Sequence, residues 1–167
     1  MMQIVGNELA RLALSNHNPV EADLLGRSAF NRYYYAAFLT TRNTLGCMQD
    51  NWKGTAHANI PTLLKDGLRK PAEAAIDKQL RVGLLDKGDK ARLLANIKAV
   101  GSELAELLKH AYDARILADY EPEIKTVIDN NVIALKSYKI TTAKQWPDRA
   151  NLLCSRLLGL WKEIGLV

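Results

Sequence analysis

Apolar residues recur along most of this chain at steps of three and four, the spacing that draws one stripe along a helix. The clearest run, Leu93, Leu94, Ile97, Gly101, Leu104, Leu108 and Ala111, predicts a helix from about Lys90 to Leu117. Another is expected from about Pro19 to Leu45, with Gly46 as its stop. Asn18 suits its N-cap, Pro19 its first turn, and Glu21 and Asp23 sit where the helix dipole favours acids. Further helices are expected from about Gln3 to Ser15, His57 to Leu68, Pro71 to Leu85, Pro122 to Lys139 and Pro147 to Ile164. Asn16-His17-Asn18, Gln49 to Ala56 and Asp86 to Asp89 read as breaks. Leu and Ala dominate the apolar residues, and no long alternation of apolar and polar residues appears. The fold class expected is therefore all-α.

The length of 167 residues suits one domain, with a helical core over about residues 3–138 and a helical extension over about 140–167. The net charge of +5 is compatible with a nucleic-acid partner, although the cations are scattered among acids. Cys47 and Cys154 lack partners at metal spacing and read as reduced thiols of a cytoplasmic protein. The start of the chain has no signal-peptide pattern, and no run of about 18 apolar residues would cross a membrane. No metal-ligand spacing, phosphate loop, dinucleotide fingerprint or nucleophile elbow is present, so neither metal nor cofactor is expected.

Wound at about 100° per residue, the second helix places Leu25, Ser28, Arg32, Tyr35, Ala36 and Leu39 on one stripe. Arg32 then lies in a small and apolar face, where a permanent cation needs a partner or water. Tyr33, Tyr34 and Tyr35 point in three directions, so at least one hydroxyl is expected at a polar site or interface. At the end of the long helix, Arg115 and Asp119 are four apart and share a face, in the weaker order for a local ion pair. Asp119 is therefore expected to pair with Arg32 and tie two helices together. Of the histidines, His17 falls in a turn and His110 on a helix surface. His57 follows a loop and starts a helix, which makes it the better candidate for proton transfer.

The stretch Ser28-Ala-Phe-Asn-Arg-Tyr-Tyr-Tyr-Ala-Ala-Phe38 resembles the signature helix of small prokaryotic HEPN proteins, with its arginine, paired aromatics and small residues. Arg115-Ile-Leu-Ala-Asp119-Tyr120 resembles their Arg-x-x-Ala-Asp-Tyr ending, and Thr55-Ala-His57 sits where that group often carries a histidine. The likeness covers about Leu9 to Tyr138. It implies an antiparallel up-and-down bundle of four or five helices, often a homodimer, with the C-terminal helix as an addition. It also implies a metal-independent endoribonuclease of toxin–antitoxin or anti-phage defence systems, acting on RNA beside a nucleotidyltransferase-type antitoxin or a defence-complex protein. On this resemblance Arg32, His57 and Asp119 are the candidate catalytic residues, and Tyr35, Arg115 and Tyr120 the candidate binding residues. Histidine would move protons and arginine would steady the phosphorane.

The usual motif of that group, an arginine followed after four to six residues by a histidine late in the domain, is missing. The one literal match, Arg11 to His17, crosses the end of the first helix and is read as chance. Three functions stay open. The chain is a nuclease with a variant site, or a non-catalytic HEPN module that binds RNA, a nucleotide or a protein, or a bundle in which the marked residues only hold helices together.

Overall fold

The structure, a computed structural model, describes residues 1–166, and its second helix buries a different face from the stripe of Leu25, Ser28, Arg32, Tyr35, Ala36 and Leu39 expected from sequence, none of which is fully buried. Helix α1 spans Met2–Ser15, and the 30-residue α2 spans Pro19–Met48. Asn18 caps α2 as expected, its Oδ1 accepting from the backbone N–H groups of Val20 (3.0 Å) and Glu21 (3.4 Å). The buried stripe of α2 is Ala22, Gly26, Ala29, Tyr33, Ala37, Thr41, Thr44 and Met48, at steps of three and four. Gly46 does not stop the helix. It is buried within the last turns, and α2 runs on to Met48.

One-turn 3-10 segments follow at Asp50–Trp52 and His57–Asn59. Helix α3 (Ile60–Thr62) passes directly into a π turn over Leu63–Gly67, and α4 covers Arg69–Arg81. Helix α4 closes four residues before the expected end. Gly83 (φ 74°) takes the left-handed turn, its N–H donating to Leu80 O while Leu84 N–H donates to Gln79 O. The 34-residue α5 spans Lys87–Tyr120. Asp86 and Asp89, read from sequence as a break, instead start α5 as a reciprocal cap. Asp89 N–H donates to Asp86 Oδ1 (2.8 Å) and Asp86 N–H to Asp89 Oδ2 (3.1 Å).

The expected helix from Pro122 to Lys139 is overturned. That segment forms an antiparallel three-stranded meander, β1 (Thr126–Asp129), β2 (Val132–Leu135) and β3 (Tyr138–Lys139), ordered β1-β2-β3. Asp129 pairs with Val132, leaving Asn130 and Asn131 as a two-residue turn with φ of 47° and 59°. Asparagine tolerates that left-handed pair, and the flanking Thr-Val-Ile and Val-Ile runs favour strands. The chain is therefore mostly helical with a small sheet, rather than all-α. Helices α6 (Ile140–Ala143) and α7 (Trp146–Glu163) complete it.

Two compact units divide these elements. The first comprises Met1–Leu39 and Leu108–Arg149; the second comprises Thr40–Leu107 and the chain from Ala150. In the first unit Phe30, Tyr33, Ala114, Ile133, Leu135 and Trp146 are buried, with Phe30 and Trp146 rings 6.4 Å apart. Tyr33 points to α1, where its hydroxyl donates to Asn7 Oδ1 (2.9 Å), and burial pushes its phenol up to about 12. In the second unit Leu45, Ile60, Leu64, Ile76, Leu93, Leu104 and Leu157 are buried, and Trp52 meets Trp161 at 5.9 Å. Gly101 of α5 lies against the carbonyl of Leu64 in the π turn, an approach that any Cβ would block.

The expected charge excess is unevenly shared. The second unit holds thirteen Lys and Arg against nine Asp and Glu, a net of +4, and the first holds ten against nine. Among the described residues no helix is long and apolar enough to cross a membrane, and no group of His, Cys, Asp and Glu is placed to hold a metal ion.

Candidate functional site

Polar residues placed four apart on α2 build the site in the first unit. Asp23, Arg27 and Asn31 succeed each other at steps of four and so stand one above another on a single face. Each reaches the segment that ends α5 and enters β1. Asp23 Oδ1 accepts from Thr126 N–H (2.7 Å) and Thr126 Oγ1 (3.0 Å), and Lys125 Nζ lies 3.4 Å from Asp23 Oδ2. Arg27 is buried, and its guanidinium donates to the carbonyls of Ile124, Leu117 (3.0 Å) and Glu121 (3.1 Å). The last carbonyls of a helix lack partners within it, and they carry the negative end of its dipole. A forked cation answers both needs at once.

Asn31 Nδ2 donates to Asp119 Oδ1 at 2.6 Å. Asp119 Oδ2 stands 2.8 Å from Arg115 Nε, but that N–H is not aligned on the carboxylate, so the contact is an ion pair without a formed hydrogen bond. The pair forms despite its unfavoured order along the helix, with side chains 15% and 24% exposed. Burial works against the Arg115 charge, but the Tyr120 hydroxyl and the Asp119 carboxylate together hold its pKa above the ordinary arginine value. Its guanidinium carbon sits 4.9 Å from the centre of the Tyr120 ring, and that tyrosine is 63% exposed.

Behind this ion pair lies an aromatic cluster. Tyr34 is stacked on Phe38 at 5.9 Å and meets Tyr35 and Tyr112 edge-on at 5.4 and 5.8 Å. Burial, with Tyr35 and Tyr112 adding to it, pushes the Tyr34 phenol far above its usual range, so it stays protonated at neutral pH. Tyr35 is half-buried and within electrostatic reach of Arg115. The three successive tyrosines do diverge, Tyr33 toward α1 and Tyr34 toward α5.

Four of the sequence-predicted residues thus come together: Tyr35, Arg115, Asp119 and Tyr120. Arg32 does not join them. The expected Arg32–Asp119 pair is replaced by Asn31, one residue and about 100° earlier on the helix. Arg32 is half-buried, with Nη1 3.8 Å from Met2 Sδ, a weak acceptor. His57 belongs to the second unit, where it opens the 3-10 turn His57–Asn59. His110 is exposed, with its ring 4.8 Å from Tyr138 and 5.9 Å from Trp146. Sequence reasoning missed Asp23, Arg27 and Asn31 as a set. Their signal was present, three hydrogen-bonding side chains at exact four-residue steps on a helix otherwise rich in small and apolar residues.

Chemically, the assembled cluster offers an exposed aromatic face backed by a cation whose charge Asp119 already balances. Comparison with models of protein families, with curated proteins and with solved structures finds no match to this chain.

Proposed function

We propose that this chain is a HEPN-like module that binds single-stranded RNA without cleaving it, through Tyr120 and Arg115. The observation that carries the reading is the Tyr120 ring, 63% exposed and backed by the Arg115 guanidinium at 4.9 Å. Unpaired bases stack on such aromatic and guanidinium planes. The resemblance of Arg115 to Tyr120 and of Ser28 to Phe38 to the HEPN motifs supports the same assignment, with its setting in toxin–antitoxin or defence systems and its homodimer.

Cleavage by the RNA 2′-OH needs a group that gains and loses a proton near neutral pH. The cluster of Arg115, Asp119, Asn31 and the tyrosines supplies a cation, a carboxylate in an ion pair and phenols, one of them pushed far up. Among the described residues no imidazole pairs with Arg115, Asp119 or Asn31. The binding reading therefore suits the cluster better than the nuclease reading based on Arg32, His57 and Asp119.

The test is fluorescence anisotropy with a labelled single-stranded RNA at several salt concentrations, with the same samples run on a denaturing gel. Binding is expected, with RNA left intact in the presence of chelator. Tyr120→Ala should weaken binding by about 1–3 kcal/mol, the worth of one stacked base, by a similar amount at every salt concentration. Absence of binding at low salt, or full affinity in Tyr120→Ala, overturns the proposal. RNA cleavage that disappears in His57→Ala would instead restore the nuclease assignment.

A further inference from the structure

We infer that the second unit holds a binding site for a small amphipathic anion, an aliphatic body with one negatively charged head, between the π turn and α5. A cavity of about 310 Å³ opens there. Ligand pockets run from about 300 to 1,000 Å³, so its occupant is small. The floor is wholly aliphatic: Leu64 of the π turn and Leu68 just after it, with Leu94 and Ile97 from α5. No aromatic ring lines it, which argues against a stacked base and for a saturated body.

The rim is basic. Lys65, Arg69 and Lys98 border the cavity, against the single acid Asp66. Lys65 already pairs with Glu106, and Arg69 with Glu73 at 3.7 Å. Lys98 makes no ion pair among the described residues, so its charge is uncompensated. A cation placed at the mouth of an apolar hollow favours a ligand that carries its charge at one end.

The backbone explains why the hollow exists. The π turn at Leu63–Gly67 holds an extra residue and widens the helix there. Gly101 lets α5 touch this turn at the Leu64 carbonyl. Leu94, Ile97 and Lys98 lie on the same face of α5, one and two turns before Gly101. From that point of contact the widened turn and α5 bound the cavity on opposite sides.

The inference is independent of the RNA-binding proposal, because its residues lie in the other unit. The experiment titrates the full chain with decanoate below its aggregation threshold, followed by calorimetry and by methyl NMR of Leu and Ile. Decanol supplies the body without the charge, and acetate the charge without the body. One saturable decanoate site is expected, shifting the methyls of Leu64, Leu68, Leu94 and Ile97, with both controls at least about tenfold weaker. Lys98→Glu, an exposed position, should weaken decanoate about tenfold and leave decanol unchanged. Leu94→Trp, which fills the hollow, should remove binding with the melting curve retained. Equal affinity for acetate or decanol, methyl shifts elsewhere, or an unaltered Lys98→Glu would overturn the inference.

Discussion

Replacing Arg27 by methionine isolates the contact that secures the end of α5. The side chain is buried, and its guanidinium donates to the carbonyls of Leu117, Glu121 and Ile124. Methionine fills much of the same space but offers no donor. Hydrogen bonds to charged groups contribute about 1.5–3 kcal/mol each, and a buried carbonyl left without a donor costs about 1–3 kcal/mol. The contributions do not add. A loss of about 2–4 kcal/mol is expected, or about 5–15 °C in Tm for a chain of this size. Arg32→Met provides the control five residues away. Among the described residues its one polar contact is a sulfur at 3.8 Å, so a change below about 0.5 kcal/mol is expected. Urea denaturation followed by far-ultraviolet circular dichroism measures both. Equal losses in the two variants, or a loss below about 1 kcal/mol for Arg27→Met, would refute the reasoning.

Three further outcomes can be checked in the same way. Gly101→Ala sets a methyl against the Leu64 carbonyl and should cost about 1–3 kcal/mol in denaturant melts. Asn131→Val forces a β-branched residue to φ 59° at the hairpin turn and should cost about 1–2 kcal/mol, whereas Asn131→Gly should be tolerated. Asp89 is held below its ordinary value near 3.8 by the Asp86 backbone N–H and by Arg92. A carboxylate with a depressed folded pKa stabilises above its unfolded value and loses that contribution as pH falls through the folded one. Stability should therefore drop below about pH 4 less steeply in Asp89→Asn than in the parent chain, as read from urea midpoints across pH 2–6.

The long helices were legible because their periodicity is long and their caps are local. Asn18 and Pro19 announced α2, and the stripe from Leu93 to Ala111 announced α5. The meander is hidden because Pro122 stands where a helix could restart. Thr-Val-Ile and Val-Ile-Ala-Leu around Asn-Asn carried the opposite message, β-branched strands about a left-handed turn. Asp86 to Asp89 has the composition of a turn, and only the reciprocal hydrogen bonds distinguish it from a helix cap. The π turn left no trace in the pattern, since one added residue does not break a short apolar run.

The site was half legible for a related reason. Sequence placed Arg115, Asp119 and Tyr120 on one helix end, and tyrosines on α2, but could not decide which side of α2 faces them. A rotation of 100° separates Arg32 from Asn31, and charge pairing alone favours the arginine over the asparagine as the partner of Asp119. The four-residue ladder of Asp23, Arg27 and Asn31 fixes the rotation, because all three find partners between Leu117 and Thr126. A buried stripe built largely of small residues on α2 then leaves Arg32 at its edge.

An NMR titration of the full chain with a short single-stranded RNA, in chelator, tests the proposed role of this cluster most directly. The largest shifts are expected at Tyr120, the Arg115 Nε–H and Tyr35, with the RNA recovered intact. Shifts centred on His57 with a shortened RNA, or none at Tyr120, would contradict it.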